Sequence, residues 1–357
     1  MARRPEIKVG DINRKSAGRC VPGNTQNALT QAPYLNYAVD MTSVKPPRQA
    51  AAGSWISFAA DPAQKERCLA RLRGAELGPD NQPSDCAAGG KQRFSDELGI
   101  PETLAVVIDV LCWLRQSEGK ISAREQAIGL LEAIPVGVDL GTVPQRYAHW
   151  LLHDTQWGIA QYYTTEPLRA FSERLKALHD KELAGLAIDD SEWPAREPDT
   201  HIDTGAADEE DGRHLEDLLA SFATPLGRID AEQMGLLCGA AAYFAGEQTR
   251  SAYWTDSEQR QLDDLYGAFC ASTEQTLGPR PPPQQAAELK DWIRQEQALD
   301  AAWEKQMRQL HLPLWRRWDA WGEKQAALYA AFNGAAAELI LSLFKLAPRR
   351  DVFAPGR

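Results

Sequence analysis

The chain has 357 residues, of which 43% are apolar and 25% are charged, and its formal net charge is −11. These proportions match an ordinary globular protein and exclude wholesale disorder, a collagen-like chain and a disulfide-stapled mini-domain. The six cysteines are scattered, with neither a C-x-x-C pair nor zinc-finger spacing, so we expect reduced thiols and a cytoplasmic protein. We expect no membrane segment and no secretory signal, because no apolar run approaches the roughly 18 to 20 residues of a span.

Residues 1–60 are predicted to form an extended basic arm. They carry eight Lys and Arg against three Asp and Glu, a net charge of +5, which leaves −16 for the remaining residues. An acidic body repels phosphate backbones, so we expect no nucleic-acid binding except through residues 1–20. The arm lacks a contiguous basic run, which favours a tail, or a strap across its own acidic body.

Residues 61–186 are predicted to form an N-terminal helical unit. Its first helix begins at Asp61-Pro62, an N-cap followed by proline. Apolar residues keep helical spacing between 101 and 116, and Ser122-Ala-Arg-Glu125 is a capping box that opens the next helix. Thr142 and Thr165 precede two more helices.

Residues 187–212 are predicted to be an acidic linker. They combine prolines with runs of Asp and Glu and show no apolar periodicity. Such a stretch buries too little apolar surface to offset the entropy of ordering. We therefore expect a mobile domain boundary here, and a solvated loop rather than a cation site.

Residues 213–347 are predicted to form a C-terminal helical unit, followed by a tail at 348–357. Variant capping boxes begin at Asp230 and Asp256. A long helix with an apolar stripe ending at Leu310 is interrupted at Pro313, and a final helix runs to Leu346. The predicted fold is all-α: two helical units with an extended N-terminal arm and a C-terminal long helical hairpin.

Three segments resemble a family of uncharacterised phage and bacterial proteins that have a helical tail rich in alanine and tryptophan. The segments are Gly99-Ile-Pro-Glu-Thr, Leu131-Glu-Ala-Ile-Pro-Val-Gly-Val-Asp-Leu140 and Arg146-Tyr-Ala-His-Trp-Leu-Leu152. They lie in residues 94–160, less than a fifth of the chain, and Ala326–Ala337 faintly resembles the tail. The resemblance brings no activity and no catalytic residues. It implies an accessory protein of the mobile gene pool.

His149 and His153 form a candidate metal site. They lie four residues apart on one predicted helix, a spacing at which two imidazoles can share a metal ion. A third ligand would have to come from elsewhere, with Asp154, His179 or Asp180 nearest in sequence. The apolar residues around this pair favour histidines in the core over ligands, and there is no H-E-x-x-H motif. Nucleophile elbows and phosphate-binding loops are likewise missing from the sequence.

Trp315, Trp318 and Trp321, flanked by Arg316 and Arg317, carry the strongest local composition signal. Their three-residue steps place them along one side of a helix, where they form either a core ridge or a protein-binding surface. A core ridge is the favoured interpretation. Because three-residue steps rotate around the helix axis, we expect one indole, that of Trp315, to be partly exposed. Trp315, Arg316, Trp318 and Trp321 are therefore the candidate partner-binding residues.

The predicted function is that of a non-catalytic cytosolic protein without a cofactor, which occludes, escorts or scaffolds a macromolecular partner. An immunity or anti-defence factor is one example. The first alternative is a metal- or haem-dependent helical enzyme that uses His149 and His153. The second is a mobile-element adaptor that contacts nucleic acid through its basic arm.

Overall fold

The computed structural model describes residues 55–77, 81–116, 122–163, 165–193, 218–282 and 284–349. These ranges contain twelve α-helices and no β-strand, which confirms the predicted all-α class. Residues 1–54 of the predicted arm and residues 350–357 of the predicted tail lie outside them. The helices are α1 (Pro62–Gly74), α2 (Pro83–Ala88), α3 (Lys91–Leu98), α4 (Glu102–Gln116), α5 (Ala123–Ala133), α6 (Val143–His153), α7 (Glu166–Leu183), α8 (Ala231–Glu247), α9 (Arg250–Tyr253), α10 (Asp256–Leu277), α11 (Ala286–Leu310) and α12 (Leu312–Leu346).

Backbone contacts divide the chain into two compact units, which we call the larger and the smaller unit. Within the described ranges the larger unit comprises residues 55–245 and 328–349, and the smaller unit comprises residues 246–327. Residues 213–347, predicted to be one helical unit, are therefore divided between the two. Helices α8 and α12 each run through a boundary.

A hydrophobic cluster explains why the observed division does not fall at the predicted linker. Trp193 and Leu219 flank the stretch 194–217, and both belong to a cluster with Leu168 and Leu175 of α7. The chain on either side of the predicted linker is thus joined within the larger unit. Residues 194–212 lie outside the described ranges, so their predicted mobility stays a prediction.

Helix α4 lies at the centre of the larger unit. Nine consecutive residues, Leu104–Cys112, are buried, because α4 packs against α2, α3, α5 and α6. A helix that is apolar on nearly every side lies inside a protein. The exception is Asp109, whose carboxylate accepts hydrogen bonds from Ser84 N at 2.9 Å and Ser84 Oγ at 2.6 Å.

Capping boxes open helices α5, α8 and α10, and that of α8 is the predicted pair Asp230 and Gln233. Ser122 and Glu125 form the predicted capping box of α5. The box predicted at Asp256 is displaced by one residue, since Thr255 is the N-cap of α10 and pairs with Glu258. Each box satisfies backbone N–H groups that have no partner within the helix.

Residues Trp55–Ala60 form an extended segment and a tight turn, which we call the strap. Ser57 N donates to Val138 O at 2.9 Å, and Leu140 N donates to Trp55 O at 2.9 Å. On the opposite side, Asp139 N donates to Pro348 O at 2.8 Å. The strap and the segment after α12 thus pair with the same short segment, residues 137–140.

The turn of the strap has a left-handed backbone. Phe58, Ala59 and Ala60 have φ angles of 54°, 50° and 59°, values that residues with a Cβ rarely adopt. Each such residue costs roughly 1–2 kcal/mol relative to a right-handed conformation. Complete burial of the Phe58 ring offsets part of this strain.

The smaller unit contains α9, α10, α11 and the first half of α12. Its hydrophobic cluster includes Trp254, Leu262 and Trp315, and α11 packs along α10 although none of its own residues is buried. The break between α11 and α12 lies at His311 rather than at the predicted Pro313, because proline is tolerated in the first turn of a helix.

The chain enters and leaves the smaller unit at neighbouring positions. Gln325 Nε2 donates a hydrogen bond to Glu247 Oε1 at 2.9 Å. Glu247 ends α8, and Gln325 lies in the middle of α12. A side-chain hydrogen bond therefore joins the two ends of the smaller unit's described part.

Helix α12 is long and apolar enough to cross a membrane by length and composition, contrary to the expectation from the sequence. Of its most apolar 18-residue window, 44% is buried within the protein. Phe332, Ile340 and Phe344 are among its buried residues. A helix in a protein core passes the same test, so length and composition alone assign no membrane role to α12.

Candidate functional site

The histidines of the candidate metal site lie where α6 meets α7, within the larger unit. His149 and His153 of α6 have ring centroids 5.0 Å apart. Two of the three candidates for a third ligand, His179 and Asp180 of α7, lie against them. His149 Nε2 is 2.7 Å from Asp180 Oδ1, and His153 Nε2 is 2.9 Å from His179 Nδ1.

This geometry gives each histidine its own partner instead of a shared metal position. Both Nε2 atoms are engaged, His149 with a carboxylate and His153 with another imidazole. A metal ion bound through both Nε2 atoms would break both contacts. Among the described residues, no three His, Cys, Asp or Glu side chains are grouped so as to hold a metal ion.

The hydrogen bonds assign the proton positions of the buried pair. His179 Nε2 lies 3.0 Å from Thr224 O, and a carbonyl only accepts, so His179 carries its proton on Nε2. Its Nδ1 is then an acceptor, and His153 must donate from Nε2. His153 Nδ1 is left as a bare, buried acceptor without a partner.

Burial keeps both rings neutral. His153 is 7% exposed and His179 is fully buried. Burial, with the neighbouring histidines second, lowers the pKa of His153 from 6.5 to about 2. Burial likewise lowers the pKa of His179 to about 4, although its hydrogen bond to Thr224 opposes the shift. Both rings are therefore uncharged near pH 7.

An open groove lies beside this cluster in the larger unit. Its volume is about 560 Å³, and its walls come from the end of α6, the turn that follows and the second half of α12. Trp150 and Trp157 form its aromatic side, where both rings contact Phe332. Asp154 and Glu338 are its carboxylates.

The tryptophan ridge is mainly core. Trp315 and Trp321 are 2% and 3% exposed, and Trp318 is half-buried with its ring edge against Trp254. The prediction that Trp315 is partly exposed is therefore wrong. Trp315 packs beneath α11, where the Arg308 guanidinium lies 4.8 Å from its ring centroid, and this contact could not be read from spacing along α12 alone.

The break between α11 and α12 exposes apolar side chains instead. Leu310 and Leu312 are 64% and 45% exposed, and Pro313 and Arg316 are exposed beside them. We call these four residues the apex. Leu310 is the last residue of the predicted apolar stripe of α11, and the pattern does not show that the helix ends there.

Charges near the apex are unevenly paired. Arg308 binds Glu304 and Asp319 at 2.8 Å each, and Arg317 binds Glu258. No ion pair involves Arg316 within the described ranges. Arg316 of the apex is thus a cation without an ion-pair partner among the described residues, in a protein whose net charge is −11.

Comparison of the chain with the signatures of known protein families, with curated protein sequences and with solved structures found no match.

Proposed function

We propose that the protein is a non-catalytic binding factor of the immunity, anti-defence or scaffold type, which occludes or escorts a macromolecular partner through the apex. The observation that carries the proposal is the pair of exposed leucines beside the unpaired Arg316. The proposal includes a cytoplasmic location, the extended basic arm at 1–60 and the helical hairpin formed by α11 and α12.

The energetics of the apex support a protein contact. Burying a leucine side chain contributes roughly 1.5–3 kcal/mol. A partner that covered Leu310 and Leu312 would therefore gain binding free energy from both side chains. Arginine is enriched among residues that dominate protein interfaces. An apolar surface beside Arg316 fits an apolar patch on the partner with a carboxylate at its edge.

Of the predicted partner-binding residues, two have side chains that a partner can reach. Arg316 is exposed and Trp318 is half-buried, whereas Trp315 and Trp321 lie in the core. The proposed contact therefore centres on Leu310 and Leu312 and extends along α12 to Arg316. Trp315 and Trp321 belong to the hydrophobic cluster that also contains Leu314.

The test begins with affinity purification from the native host and mass spectrometry, followed by binding measurements with the purified partner. A Leu310→Ser, Leu312→Ser double variant and an Arg316→Glu variant should each weaken binding at least about tenfold, or 1.4 kcal/mol. Their melting temperatures should stay close to wild type, because exposed side chains contribute little to folding.

Leu346→Ser is the matched control. Leu346 is 77% exposed but lies at the end of α12 in the larger unit. This variant should bind as wild type does. Full binding by both apex variants would refute the proposal.

A further inference from the structure

The open groove between the end of α6 and α12 combines two tryptophans with two carboxylates. None of the nine described residues that line it is a lysine or an arginine. Trp150 is half-buried, and its ring stacks on Phe332 with 5.8 Å between the centroids. Trp157 meets the same Phe332 ring edge-on at 5.9 Å. Phe332 thus positions both indoles on one wall of the groove.

Neither carboxylate of the groove is fully engaged within the described part of the chain. Asp154 Oδ1 accepts hydrogen bonds from Gln156 N at 2.9 Å and Trp157 N at 2.8 Å, whereas Oδ2 accepts from no described group. Glu338 is exposed on α12 and has neither a hydrogen bond nor an ion pair with a described residue. Carboxylates beside aromatic rings attract cations, because cation–π attraction adds to charge pairing. The groove therefore fits a cationic occupant with an apolar body.

The chain carries such an occupant shortly before the strap. Lys45-Pro-Pro-Arg48 contains two cations and two prolines, and no Asp or Glu lies between Lys45 and Trp55. The two cations give +2, and the two groove carboxylates give −2. Proline restricts both its own φ and the residue before it, which favours an extended polyproline II conformation. In that conformation, side chains three residues apart lie on one side, about 9 Å from each other.

The path from the strap to the groove is short enough for this segment. Trp55 and Pro348 pair with opposite sides of residues 137–140, which separates them by about two strand spacings, or roughly 10 Å. Ser342 and Glu338 of the groove precede Pro348 along α12, at a rise of about 1.5 Å per residue. Glu338 therefore lies within about 25 Å of Trp55. An extended chain spans up to about 23 Å from Trp55 back to Arg48, and about 33 Å back to Lys45, so the segment reaches the groove.

We propose that Lys45-Pro-Pro-Arg48 docks in this groove, with its prolines against the two tryptophans and its cations on Asp154 and Glu338. Aromatic-lined grooves recognise proline-rich segments in this way, because a preformed conformation loses little entropy on binding. The short connection to the strap keeps the segment at a high effective concentration, so that docking requires little intrinsic affinity. The groove is then filled by the chain itself. This docking belongs to the larger unit and does not depend on the apex.

The experiment is carbodiimide cross-linking of the full chain, which joins a lysine amine directly to a carboxylate in contact with it. An equal mixture of isotopically light and heavy protein is cross-linked and digested, and the products are identified by mass spectrometry. Lys45 should be joined to Glu338 or Asp154, with both halves of the product from the same isotope. The absence of this product would refute the proposal. Products of mixed isotope would show that a second copy fills the groove, and products from Lys8 or Lys15 instead of Lys45 would show that another part of the arm does; either result would also overturn it.

Variants separate docking in a built site from general charge attraction. Pro46→Ala, Pro47→Ala keeps both cations, and it should lower the yield of Lys45 products at least about fivefold, because alanine loses the ring contact and the preformed conformation. Glu338→Gln should lower the total yield of Lys45 products by a similar factor. Glu323→Gln is the matched control, because Glu323 is exposed on the same helix but lies in the smaller unit, and it should leave the yield unchanged. An unchanged yield in the proline variant would show that charge alone attracts the segment, contrary to the proposal.

Discussion

Asp109 is the least expected residue of the larger unit's core, because a carboxylate replaces an apolar side chain in the middle of α4. It is 1% exposed, and both of its oxygens bind Ser84 at the start of α2. Burial raises its pKa from 3.8 to about 6, against the opposing hydrogen bonds from Ser84 and the charge of Lys91. The charged form is thus retained at neutral pH with a free-energy penalty.

Asp109→Asn should remove a pH dependence of stability. Since the folded pKa lies above the unfolded pKa, wild-type stability from this group rises as pH falls from about 6 to 3.8, by about 3 kcal/mol. The variant should lack this gain, while its amide keeps the bonds to Ser84. Urea unfolding of both proteins at pH 7 and pH 4 measures the difference; a difference that is constant with pH would contradict the assignment.

The strap makes a second prediction at the same scale. Ala59 is exposed and has a φ of 50°, which glycine adopts without strain. Ala59→Gly should raise the free energy of unfolding by about 0.5–1 kcal/mol, the relief of strain less the added entropy of the unfolded chain. Ala70→Gly, at an exposed position in the middle of the right-handed helix α1, should lower it by a similar amount. Chemical denaturation compares the two, and destabilisation by both would show that the turn is unstrained.

How far single residues were predictable depended on the distance between partners in the chain. The contact of His149 and His153 follows from their spacing of four on one helix, and sequence proximity placed His179 and Asp180 among the candidates. The bonds from α7 to Thr224 and Leu226 join residues about 45 positions apart. No local sequence pattern encodes these bonds, so the role of Glu182, which accepts the bond from Leu226 N, could not be predicted from the sequence.

At the scale of elements, α4 and α11 differ most clearly in how many of their residues are buried. Helix α4 contains nine consecutive buried residues, whereas α11 has 25 residues and none that is buried. Helix stability in proteins comes mostly from packing rather than from propensity. The two helices should therefore differ in local stability.

Amide exchange should follow that difference. We expect the amides of α11 to exchange at least about tenfold faster than those of residues 104–112, since few buried contacts oppose local opening. Exchange of the full chain at pH 7 provides the measurement. Helix α10 is the internal control, because it pairs with α11 but buries Leu262, Tyr266 and Phe269. Equal protection of α4 and α11 would contradict this prediction.

Helix ends were predictable where a local cap specifies them. The box at Ser122 and the Asp61-Pro62 start both appear in the structure. The end of α11 was not predictable, because its apolar stripe continues to Leu310. Pro313 does not mark that end either, since proline at the second position of α12 does not interrupt a helix. The helical spacing of the apolar residues was correct, but it does not show which of them another element covers.

At the scale of the whole molecule, the all-α class was predictable and the division into units was not. The acidic stretch at 187–212 has the composition of a boundary, yet Trp193 and Leu219 join its two sides. The observed boundaries lie inside α8 and α12, where helical periodicity continues without interruption. A boundary inside a continuous helix leaves no mark on composition.

This division predicts that the smaller unit can be excised. Replacing residues 246–327 by a Gly/Ser linker of about six residues, which spans roughly 20 Å when extended, should leave the larger unit folded. The contact between Glu247 and Gln325 makes so short a linker sufficient. Circular dichroism and cooperative unfolding test the product. A protein without a cooperative transition would show that the two units fold only together.

The neighbouring positions of Glu247 and Gln325 also bear on how such a protein diversifies. For the larger unit, the 82 residues from 246 to 327 are a loop whose ends are already together. The entropy of closing a loop grows only with the logarithm of its length. A tenfold change in the length of the insert therefore changes the stability of its host by only about 2 kcal/mol. The apex lies within this insert. A single exchange of one contiguous stretch of gene can therefore replace the proposed binding surface while the host fold, with its histidine pair, is inherited unchanged.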